Sequence, residues 1–100
     1  MSTRNVVADR TEIVARLDAL AEELAARGWA SSVQAPNGRL PRLHARNPVP
    51  GAGALSEDIF AQPRADGTWV YWWPWAQPIA EAADRTAEVI VRVLRPADEP

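Results

Sequence analysis

The segment Thr68-Trp69-Val70-Tyr71-Trp72-Trp73-Pro74-Trp75 constrains this chain more than any other stretch of it, for it holds four of the five tryptophans and the single tyrosine. Aromatic and β-branched residues fit a pleated, half-buried surface, so the segment is expected to be a strand. A period of two places Trp69, Tyr71, Trp73 and Trp75 on one face and Val70 and Trp72 on the other. A strand covered on one side alternates apolar with polar, whereas both faces here are apolar and both call for cover. Proline donates no ladder hydrogen bond, so Pro74 places the segment at a sheet edge or ends its pairing near Trp73.

Two coverings are open. One set packs beneath helices while the loop 48–55 covers the other, or one aromatic set lies on an open sheet face and is buried by a partner, because a patch of that size is rarely left to water. Of possible partners, a second copy of the chain comes first, since small domains commonly cover a sheet by forming dimers.

The rest of the chain reads as one domain over 1–100, with 1–8 and 96–100 frayed. Of its 47 apolar residues 19 are alanine, which leaves 28 larger side chains and makes the tryptophans a large part of the buried surface. Asp9 and Glu12 have the spacing of a capping box, so a helix should begin at Arg10. Ile13, Leu17, Leu20 and Leu24 recur at helical spacing, Glu12 with Arg16 and Glu23 with Arg27 are four-residue ion pairs, and Gly28 supplies the left-handed end.

Trp29 to Ala35 reads as a strand, followed by a Pro36-Asn37-Gly38 turn. Leu40 to Asn47 alternates, with Leu43 and Ala45 on one face and Arg42, His44 and Arg46 on the other. Pro48, Pro50, Gly51 and Gly53 form a loop, Glu57 to Pro63 a third strand, Asp66-Gly67 a turn, and Thr68 to Trp75 a fourth strand. Pro78 suits the first turn of a second helix, with Ala83, Ala87, Ile90, Val91 and Leu94 as its apolar stripe, Glu88 with Arg92 as a surface pair and Pro96 as its stop. Short connections make the sheet antiparallel. The expected fold is α+β: a two-layer sandwich, a four-stranded antiparallel meander with the N- and C-terminal helices on one face, in the order α-β-β-β-β-α.

Several functions are disfavoured. The net charge of −2, from 11 arginines, no lysine and 13 acids, is unlike a general nucleic-acid binder. Without cysteine there is no disulfide, thiolate zinc site or cysteine nucleophile, and a cytoplasmic address is the simplest fit. No apolar signal core opens the chain and no 18 apolar residues run together, so neither export nor a membrane partner is signalled.

His44, the only histidine, is flanked on its own face by Arg42 and Arg46, as a polar face paired across strands with Glu57 or Asp58 or as a site for an anionic group. Metal binding lacks a second imidazole, and Glu57 and Asp58 do not form a ligand spacing. Ser31, Ser32, Ser56 and Thr68 have only His44 as a possible base and no nucleophile elbow, while Gly51 and Gly53 lack the third glycine of a phosphate loop.

The expected function is therefore a non-catalytic interaction module, needing no cofactor or metal, that self-associates or binds another protein. Its expected binding residues are Trp69, Tyr71, Trp73, Trp75, Arg42, His44 and Arg46. The alternative is a small-molecule or anion-binding domain with the aromatics as walls and the arginines and histidine as the polar end; a weak catalyst built on His44 comes third.

Gly28-Trp29, Asn47-Pro48, the run from Trp69 to Trp75, Pro78-Ile79 and the closing Val-Ile-Val-Arg-Val-Leu together resemble small uncharacterised actinobacterial α/β proteins with a Trp-rich last strand. That strand often ends in Trp-Gly just before the final helix in such proteins, and Ala76 stands in the glycine's place here. The resemblance implies no activity. It agrees with the alanine excess and the exclusive use of arginine, which read as a high-GC bacterial coding bias.

Overall fold

Asp9 stands in extended backbone and its carboxylate accepts a hydrogen bond from the Thr11 N–H, which starts α1 (Arg10–Ala26) where the cap predicts. Ile13, Leu17, Leu20 and Leu24 form its buried stripe, and the ion pairs Glu12–Arg16 (2.8 Å) and Glu23–Arg27 (2.9 Å) lie on its wet side. The helix closes with two reverse bonds, Trp29 N–H to Leu24 O and Gly28 N–H to Ala25 O. Gly28 takes φ +81° to make them.

This computed structural model describes residues 9–48 and 55–94. The expected fraying of 1–8 and 96–100, most of the Pro/Gly loop and the stop at Pro96 lie outside the described residues. After α1 come β1 (Ala30–Gln34), β2 (Arg42–Arg46), β3 (Ser56–Pro63), β4 (Trp69–Trp72), β5 (Pro78–Ala80) and α2 (Ala83–Val93). The strands form one antiparallel sheet in the order β1-β2-β3-β4-β5. The α+β class and the two-layer arrangement stand as expected, and the sheet has five strands rather than four.

The extra strand comes from the chain following the aromatic segment. Pro74 ends β4 at Trp72 as its missing N–H requires, and the turn 73–77 then reverses the chain, with Trp73 N–H donating to Gln77 O and Ala76 N–H to Trp73 O. Pro78-Ile79-Ala80 is thereby laid against Trp72 and Tyr71. Pro78 opens an edge strand, where a missing donor costs least, and not the second helix. That helix waits until Ala83 and begins without a side-chain cap.

The turns 64–68 and 73–77 share one bonding scheme. In the first, Arg64 N–H donates to Thr68 O and Gly67 N–H to Arg64 O, with Gly67 at φ +91°. In the second, Ala76 occupies the corresponding place at φ +68°. This left-handed conformation, which favours glycine, is thus forced on an alanine.

Both helices cover the same side of the sheet. Leu17, Leu20 and Leu24 pack with Leu43, Ala45, Ile59, Ala61, Ala87 and Ile90 in one buried cluster. Buried Asn47 joins the layers by donating from Nδ2 to Leu94 O at 2.8 Å. Glu88, expected to pair with Arg92, lies instead 3.9 Å from Arg27, the residue that caps the end of α1.

Candidate functional site

Strand register decides which aromatic set is covered. Leu43 lies opposite Ile59, and Ala61 lies opposite Tyr71, so the face carrying the helices also carries Trp69, Tyr71 and Trp73. Tyr71 and Trp73 are buried and Trp69 is half-buried. The Tyr71 hydroxyl donates to Arg16 O on α1 at 2.6 Å, and burial raises its phenol above the ordinary 10.0. Arg16 also places its guanidinium 4.8 Å from the Trp69 ring centre.

Trp75 is different. It lies in the turn rather than in β4, is 58% exposed, stacks on Trp73 with ring centres 5.4 Å apart and donates from Nε1 to Gln77 Oε1. The four aromatics expected as an open binding face are therefore two core residues, one half-buried residue packed against them and one rim residue. Arg42, His44 and Arg46 alternate to the opposite face of the sheet. The expected combined site is divided by the sheet itself.

The helix-free face has two halves. Its apolar half is a cleft of about 340 Å³ lined by Leu40, Phe60, Gln62, Trp72, Trp73, Pro74 and Ala76. Trp72 lies opposite Phe60 on β3 and donates from Nε1 to Gln62 O at 3.1 Å, while Leu40 is 44% exposed. The buried Nε2 of Gln62 has no hydrogen-bond partner among the described residues, an arrangement that ordinarily costs about 1–3 kcal/mol. Phe60, absent from the expected site, is the main addition. Its signal was the alternation of β3, which puts one large ring beside Asp58 and Gln62 on the strand's polar face.

The polar half centres on Asp58. Its Oδ1 is 2.9 Å from His44 Nδ1 and its Oδ2 is 3.8 Å from an Arg42 nitrogen, so of the two acids expected to face His44 it is Asp58 that does. Arg42 also lies 5.5 Å from the Phe60 ring centre, which links the two halves. On the other side of His44, a hollow of about 220 Å³ is lined by Ala30, Ser31, Ser32, His44 and Arg46.

Ser32, His44 and Asp58 stand side by side across β1, β2 and β3. Among the described residues no hydrogen bond joins the Ser32 and His44 side chains, so the row lacks the activating contact of a nucleophile with its base. Among the described residues no group of three or more histidine, cysteine or acidic side chains could hold a metal, and no helix is long and apolar enough to cross a membrane.

No family model, curated protein or solved structure matches the chain.

Proposed function

We propose that the chain is a non-catalytic interaction module that self-associates through the helix-free face of its sheet, with Phe60 and Trp72 as anchors. The observation that carries this reading is the cleft of Leu40, Phe60, Trp72 and Pro74 on a sheet face that neither helix covers. Rings in a partly desolvated hollow beside a polar region are what dominate the energetics of protein interfaces. The cysteine-free composition supports a cytoplasmic setting.

Sedimentation velocity from low micromolar to millimolar concentration tests it. The wild type should shift from monomer to dimer, and Trp72→Ser should remain a monomer with an unchanged circular dichroism spectrum. A wild type that stays monomeric throughout overturns the self-association reading.

A second reading is favoured by the unpartnered Gln62 amide: a small molecule with an aromatic body enters the same cleft and accepts a hydrogen bond from Nε2. It predicts saturable quenching of tryptophan fluorescence by such a compound in a protein that remains monomeric, with the response lost in Trp72→Ser.

A further inference from the structure

The end of the open face farthest from the aromatic cleft contains a second set of convergent polar groups. Ala30 pairs with Arg46 and Ser32 with His44 across β1 and β2, so all four share one face. The β1 members are small, which leaves the hollow of about 220 Å³ beside the longer β2 side chains. That space is several times the ~30 Å³ share of one water in the liquid.

The orientation of His44 gives the hollow its chemistry. Asp58 approaches from β3 and engages Nδ1 at 2.9 Å, and a carboxylate accepts, so Nδ1 carries a proton. The two ring nitrogens diverge, so Nε2 is not the nitrogen that Asp58 holds, and His44 lines the hollow together with Ala30, Ser31 and Ser32 of β1. Arg42 is drawn to Asp58 and Phe60. Arg46, by contrast, makes no ion pair among the described residues, and the Ser32 side chain makes no hydrogen bond among them.

We propose that this hollow binds the phosphate group of a small phosphomonoester, with Ser32 Oγ and the Arg46 guanidinium as donors and His44 Nε2, the bare nitrogen of a ring whose Nδ1 proton goes to Asp58, accepting from the hydroxyl of the phosphate monoanion. A planar carboxylate is satisfied by one arginine fork, whereas donors on two neighbouring strands suit an oxyanion whose oxygens point in several directions. The acidic net charge of the chain does not oppose this, because Asp58 lies beside the Arg42 guanidinium and accepts from His44, and the hollow itself is lined by no carboxylate. The site lies apart from the Phe60–Trp72 cleft and stands or falls independently of self-association.

The test is an NMR titration of the full chain with inorganic phosphate and with glycerol 3-phosphate, ionic strength being held constant with chloride. Saturable shifts should centre on Ser32, the His44 ring and Arg46. Arg46→Gln removes a charge-assisted donor and should weaken binding about tenfold or more, and Ser32→Ala about fivefold. Both residues are exposed, so neither change should threaten the fold.

Trp72→Ser should bind phosphate like the wild type even where it no longer dimerises, which separates this proposal from the preceding one. Shifts that never saturate, that acetate reproduces at equal concentration, or that saturate in Arg46→Gln with the affinity of the wild type overturn it.

Discussion

Tyr71 and Trp72 are neighbours in the chain and meet opposite fates. Tyr71 is enclosed by the helix layer, with its hydroxyl bound to Arg16 O; Trp72 faces the side that neither α1 nor α2 covers and walls a cleft with Phe60. The closed face is apolar from Leu43 to Trp73, whereas the open face passes from rings at one end to Arg42, His44 and Asp58 at the other. An aromatic residue in a strand therefore signals only that surface must be buried. What buries it, the protein's own helices or another molecule, is decided by strand register and by the side on which the helices dock.

The contrast between the faces can be broken most severely from the closed side. Leu17 is fully buried, and Leu17→Ala should destabilise by about 3 kcal/mol through lost transfer energy and the cavity left behind. Half-buried Trp72 should cost roughly 1 kcal/mol when changed to Ser, its main effect being on association. Urea unfolding of both variants measures the difference, and equal losses would erase the distinction between the faces.

A finer test uses the Tyr71 hydroxyl. Tyr71→Phe should lose about 1 kcal/mol with the hydrogen bond to Arg16 O. Because burial holds the folded phenol above 10.0, the folded state favours the protonated form. That contribution is fully present below pH 10 and is lost as pH rises through the higher folded value. Stability curves taken across this alkaline range should fall more steeply for the wild type than for Tyr71→Phe.

The smallest effect belongs to the turn joining the faces, where Trp75 stacks on Trp73 while Pro74 and Ala76 line the open cleft. Ala76→Gly relieves a left-handed alanine and should stabilise by up to about 1 kcal/mol. Gly67→Ala, in the sister turn, should destabilise by a similar amount. Thermal melts of the two variants should move in opposite directions.

Much of this architecture was legible in local chemistry. Asp9 and Gly28 bound α1, Pro36-Asn37-Gly38 and Asp66-Gly67 mark the hairpins, and the alternation of β2 separates Leu43 and Ala45 from Arg42, His44 and Arg46. Strand β5 was not legible, because three residues carry no periodicity and a proline suits the start of a helix as well as that of an edge strand. The face of Tyr71 was harder still. Alternation tells which residues share a side but not which side is covered, and that followed only from pairing Ala61 with Tyr71 across the turn 64–68. For the open face, the basic residues were visible from the sequence, while Phe60 was overlooked because it stands singly among polar neighbours.

The two outer strands of the sheet are unequal, and this limits how copies of the chain can join side by side. Strand β5 offers three residues, the first a proline, whereas β1 presents five from Ala30 to Gln34 with no proline among them. Endless growth of a sheet from molecule to molecule needs two receptive borders, and here only one is suited to accept a strand. If β1 met β1 around a two-fold axis, the borders left outside would both be β5, and the assembly would end at two copies instead of extending into a fibre.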